Sequence, residues 1–122
     1  VTSTANSKAR QAEFATVQSA FDAMLADQGA DTATLAGACT YLPGTTGATD
    51  KMFFVANGTP TSGQDMTKWP VATAYAGPNS QKPTALSTQY TRDGTTKYGY
   101  ACDTKGNVVQ SDGATIRTSP NQ

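Results

Sequence analysis

The chain has 122 residues, enough for about one domain with a single modest core. Nine basic residues balance nine acidic ones, and charged residues make up only 15%, so there is no basic excess for a nucleic-acid surface. There is no histidine, no apolar run of transmembrane length and no signal-peptide pattern, while low charge with abundant Thr, Ala, Ser and Gly has the look of a secreted protein.

The first 28 residues hold none of the 11 glycines and none of the 6 prolines, the residues that most interrupt helices. They predict one helix over 4–28, about 37 Å long at about 1.5 Å per residue. Phe14, Val17, Phe21, Met24 and Leu25 recur at spacings of three and four and form one apolar stripe. Gly29 supplies the stop. The opposite face carries Ala5, Ala12, Ala15, Ser19, Ala23 and Ala26, with Lys8 and Asp22 close by. Small side chains let another helix approach closely, although alanine is also the best helix former on any surface. Ser3, Thr4 or Asn6 can cap the start, but none has Glu or Gln three residues on to close a capping box. With Val1 as first residue, this unclear beginning suggests a helix cut from a longer one.

Residues 30–50 read as a connector, with one short helical turn at 31–35. Lys51–Ala56 reads as a strand ending at Asn57-Gly58. The Thr-, Gly- and Pro-rich stretch 57–85 reads as a long loop, with a short strand at Val71–Tyr75; loops of this length usually serve a function or are mobile. The last third contains three β candidates, Ala85–Thr91, Thr96–Cys102 and Asn107–Gln110, separated by turns at Asp93-Gly94 and Thr104–Gly106. Along Thr96–Cys102, Tyr98, Tyr100 and Cys102 alternate with Gly99 and Ala101, and either face can be the buried one. Asp112-Gly113 marks a further turn, and Ile116 starts a last strand. The fold class is therefore α+β: a long N-terminal helix packed on a small antiparallel sheet, in a single domain of 1–122 with a connector and variable loop over 30–85 and a meander over 85–117.

Cys39 and Cys102 are the only cysteines. Two thiolates without histidine do not make a structural zinc site, so a disulfide in an oxidising compartment is the simple expectation, with two free thiols as the alternative. No catalytic site is expected. Without histidine there is no Ser-His or Cys-His dyad, and Glu13 is the only glutamate. No phosphate-binding glycine motif is present. Asp103, Asn107 and Asp112 lack the dense acidic spacing of a calcium loop and read as turn residues. No cofactor or metal is expected. Trp69, before Pro70 in the loop, and Tyr75 are the candidate surface-binding residues, although aromatics more often fill a core.

Two segments, Ala9–Leu25 (ARQAEFATVQSAFDAML) and Tyr98–Val109 (YGYACDTKGNVV), resemble the distal half of the N-terminal helix and the closing strands of type IV pilins and pseudopilins. The family's processing site and apolar helix start are absent from this sequence, as they would be from its soluble part. The calcium-loop pattern of the major type II secretion pseudopilins is also missing, which favours a pilus subunit or a divergent one. The resemblance implies a structural subunit of a bacterial cell-surface filament. An apolar segment before Val1 would anchor it in the membrane before assembly, and its partners would be copies of itself or related pilins. It also implies that the apolar stripe holds the sheet while Ala5, Ala12, Ala15, Ala23 and Ala26 look toward neighbours. The isolated fragment would be a monomer. The rival expectation is a secreted module that binds carbohydrate or protein through Trp69 and nearby tyrosines, with no filament role.

Overall fold

The structure is a computed structural model that describes residues 2–28, 39, 58–59, 63–70, 90–92, 94–103, 105–112 and 116–121. It has an α+β layout. One helix, α1 (Thr2–Gln28), is followed by a two-stranded pair, β1 (Gly58–Thr59) and β2 (Gly63–Gln64), and by a three-stranded antiparallel sheet. The strands of that sheet are β3 (Gly99–Cys102), β4 (Val108–Ser111) and β5 (Ile116–Arg117), in the order β3-β4-β5.

The helix starts two residues earlier than the sequence suggests and ends at the expected place. Its first turn has no acidic residue and its last turn no basic one, so neither end is tuned to the helix dipole. Tertiary packing must supply most of its stability. Phe14, Val17, Phe21 and Met24 are buried, and Leu25 is partly buried beside them. They pack against Met66, Trp69, Tyr100, Cys102 and Val108. Phe14 meets Tyr100 edge-on at 6.3 Å between ring centroids, and Trp69 lies tilted against both Phe21 (5.6 Å) and Tyr100 (6.3 Å). The helix thus lies on the large face of β3. Ala101 and Val109 belong to the other face, where they pack with Ile116 in a second, smaller cluster.

Cys39 and Cys102 are bonded and buried within the main core. The bridge spans 63 residues of sequence, and the chain-entropy model credits a loop of that size with about 4 kcal/mol.

The β3–β4 hairpin forms at the expected turn. Cys102 pairs with Val108, Asp103 N donates to Asn107 O at 3.0 Å, and Gly106 N donates to Asp103 O at 3.1 Å. Gly106 has φ +88° and packs so close to α1 that a Cβ would sit 2.9 Å from Leu25 Cδ1. The segment before β3 departs from expectation. Strand geometry begins at Gly99, not Thr96. Tyr90 and Thr91 are not in a strand, so Gly94 does not turn a hairpin there. Instead Met66 N donates to Gly94 O (2.8 Å), Thr96 N donates to Gln64 O (3.0 Å), and Asp65 forms an antiparallel bridge with Thr95. Residues 64–66, at the end of β2 and just beyond it, are thus the ladder partner of residues 94–96. That approach is very close: a Cβ on Gly63 (φ +94°) would overlap Thr96 O. The helical turn at 31–35, the strands at 51–56, 71–75 and 85–89, and most of the 57–85 loop lie outside the described residues.

Candidate assembly face

α1 is divided lengthwise into a side that grips the sheet and an outward side. On the gripping side, three polar residues fall in the register of the apolar stripe: Arg10 four before Phe14, Gln18 four after it, and Glu13 beside it. Glu13 accepts three hydrogen bonds from β3 and the approach to it. Lys97 N donates to Oε2 at 2.9 Å, and Tyr98 N and the Tyr100 hydroxyl donate to Oε1 at 3.1 and 2.8 Å. This is why the strand begins late: a side chain takes the amides that a neighbouring strand would have taken. Gln18 does the same for the hairpin, accepting from Val108 N (3.0 Å) and donating to Gly106 O (3.3 Å). Arg10, itself buried, donates through Nη1 to Gln110 Oε1 (3.2 Å). Gln110 Nε2 returns one bond to Arg10 O (3.1 Å) and one to the Tyr100 oxygen (2.8 Å). Burial, and then the Glu13 carboxylate, hold the Tyr100 pKa far above its ordinary 10.0, so the phenol stays protonated and donates to Glu13.

The outward side is the alanine face. Ala12, Ala15, Ser19, Ala23 and Ala26 are polar-poor positions of the helix with no part in the core, and Lys8 and Asp22 beside them are exposed. The side chain of Ala5 lies outside the described set. The middle of this face forms one wall of an open groove of about 450 Å³ between Ala15, Thr16, Ser19 and Ala23 on the helix and Tyr90 opposite. Thr16 ties its hydroxyl back to Ala12 O (2.9 Å), and Gln18 Nε2 also reaches Asp22 Oδ1 (2.9 Å). The buried Tyr90 hydroxyl has no hydrogen-bond partner among the described residues. A surface built mainly of methyl and hydroxyl groups suits close helix contact and offers little to a charged or metal-bound ligand.

Trp69 corrects an expectation. It is 4% exposed, packed against Phe21 and Tyr100, and so cannot serve as a surface-binding residue. Tyr75 lies outside the described residues. Asp103, Asn107 and Asp112 are all engaged in local structure. Asp103 Oδ1 accepts from Lys105 N and Asn107 N, both at 2.9 Å, its Oδ2 accepts from Asn107 Nδ2 (3.1 Å), and Asp112 pairs with Arg117 at 2.7 Å. Among the described residues no cluster of His, Cys, Asp or Glu is grouped to hold a metal, and no helix is long and apolar enough to cross a membrane.

The stripe and the alanines stand out in the sequence, but Arg10, Gln18, Gln64 and Gln110 do not, and Glu13 reads there only as a lone carboxylate. The available signal is polarity at stripe positions of the helix, and at the β4 position two on from Val108. Comparison with family models, curated proteins and solved structures finds no match for the chain.

Proposed function

We propose that this chain is the soluble part of a structural subunit of a type IV pilus-like filament, assembled through the outward face of α1 with the β domain on the filament surface. The observation that carries the proposal is the division of α1. The large apolar side chains of the stripe are used within the domain, yet the opposite face is alanine rather than the Lys and Glu of an ordinary solvated helix. The buried disulfide fits an extracellular setting. In this reading an apolar segment before Val1 holds the subunit in the membrane until assembly and then packs among its copies, and the role is structural rather than catalytic. The rival binding module drew its support from Trp69 and nearby tyrosines, and of these Trp69 is taken by the core.

The test separates folding from assembly. Ala12→Gln and Ala15→Gln should leave the isolated domain folded, because glutamine is a good helix former on an exposed face. In the precursor that carries the membrane segment, the same changes should reduce surface filaments, because a close-packed helix contact does not tolerate added bulk. Circular dichroism of the domain and filament counts on cells are the two readouts. Normal filaments from both variants would sink the proposal.

A further inference from the structure

We infer that Arg10, Glu13 and Gln18 are positioning residues that select the axial register of α1 on the sheet, one turn among neighbours that most of the apolar stripe would accept. The inference concerns the folded domain and stands whether or not the chain forms filaments.

The stripe is a poor ruler. Sliding α1 by one turn, about 5.4 Å, brings residues three or four places on into each position. Val17 or Gln18 would then stand where Phe14 stood, Ala20 or Phe21 where Val17 stood, Met24 or Leu25 where Phe21 stood, and Asp27 or Gln28 where Met24 stood. The first three places can stay apolar, so over them dispersion and burial discriminate only by shape, and burial opposes the slide only at the last turn, where a polar residue would replace Met24.

The polar contacts behave differently. After the same slide, Gln110 would face Glu13 or Phe14 instead of Arg10. The amides of Lys97 and Tyr98 would face Thr16 or Val17 instead of a carboxylate. Val108 N and Gly106 O would face Phe21 or Asp22 instead of the Gln18 amide, which donates and accepts at once. Except at the exposed Lys97 amide, each mismatch leaves a buried or half-buried polar group without its partner, and such groups are seldom left unsatisfied in folded proteins. The three anchors contact β3 and its approach, the β3–β4 turn and β4, and a slide by one turn in this direction breaks all of them together. A polar device that fixes register is the best-attested use of buried polar groups.

The experiment uses the whole chain with its disulfide intact. The double variant Glu13→Met/Gln18→Met removes two anchors while keeping side-chain length and helix propensity. Its aromatic contacts are read by NMR, alongside a Val17→Ala control that weakens the core without touching an anchor or a reporting ring. The native register gives contacts between the Phe14 and Tyr100 rings and between Phe21 and Trp69. The expected result is a second state in which the Phe14–Tyr100 and Phe21–Trp69 ring contacts are both lost, or exchange broadening of both pairs, in the double variant only. One sharp native set in the double variant would overturn the inference for Glu13 and Gln18, because the stripe and Arg10 would then hold register without them. If the double variant does not fold, the single changes Glu13→Gln and Gln18→Glu, which keep shape but break the donor–acceptor match, replace it. A single native register in both of those would be equally fatal.

Discussion

Removing the Phe21 ring tests the packing of the helix most directly. Phe21 is fully buried at the centre of the stripe, with the Trp69 ring centroid 5.6 Å away. A buried aromatic side chain covers on the order of 150–250 Å², so at about 25 cal/mol per Å² it contributes roughly 4–6 kcal/mol before losses. Alanine recovers part of that, and the neighbours relax only partly, which places Phe21→Ala at about 3–5 kcal/mol. An unfolding entropy of about 2.1 cal/mol/K per residue gives roughly 0.26 kcal/mol/K for a chain of this length. The midpoint should therefore fall by about 12–20 °C on that entropy scale, read by calorimetry or by circular dichroism with the disulfide intact. Trp69 fluorescence should move to the red in the native state, because its ring loses a neighbour and gains water. Ala15→Gln, on the outward face of the same helix, should stay within about 0.5 kcal/mol of the parent. A Phe21→Ala midpoint within about 4 °C of the parent, the shift expected of roughly 1 kcal/mol, would mean that the stripe does not face this core.

Gly63→Ala should be among the most damaging single-methyl changes, losing at least about 1–3 kcal/mol from the left-handed backbone alone, because φ is +94° and the new Cβ collides with Thr96 O; a melt indistinguishable from the parent would contradict that approach of β2 to the 94–96 segment. Replacing both cysteines by alanine should cost about 4 kcal/mol on the loop-entropy account, and a urea midpoint unchanged by the double replacement would show that the bridge constrains nothing. The raised Tyr100 pKa sets an alkaline limit: the unfolded phenol ionises near pH 10 while the folded one does not, so the unfolded state binds fewer protons above that pH and stability falls as pH rises past about 10. Ultraviolet titration of the native protein should give the same phenolate count for the parent and for Tyr100→Phe until unfolding begins, and one extra phenolate in the folded parent would refute the assignment.

The helix was legible because its signal is the absence of two residue types over the first 28 positions, which no local context can hide. Its inward face was legible because Phe14, Val17, Phe21 and Met24 keep the helical period. The β3–β4 hairpin was legible from its Lys-Gly turn, and the cysteine pair from the lack of any other chemistry for it. Trp69 was not legible. It sits in a Pro- and Thr-rich stretch that reads as loop, and only the return of residues 63–70 against β3 and α1 brings it into the core.

The start of β3 failed for a more instructive reason. The alternation from Thr96 to Cys102 satisfies the rule for a strand, but a strand also needs a partner for every backbone group. β4 ends its pairing at Gly99–Ser111, and upstream of that point the carboxylate of Glu13 is the acceptor for the Lys97 and Tyr98 amides. Gln18 serves Val108 and Gly106 in the same way, and Gln64 Oε1 takes the Tyr100 amide at 3.3 Å. In a sheet whose strands are two to four residues long, a large share of the backbone groups lies at an edge. Long polar side chains aimed inward from the helix and from β2 stand in for the missing strands. The polar residues within a helix's apolar stripe are therefore informative when the β candidates nearby are short. In this chain Arg10, Glu13 and Gln18 mark the edge that the strands leave open. The alanine face makes no comparable bonds to the sheet among the described residues, so it is the side of α1 that a neighbouring helix can reach without disturbing the domain's own packing.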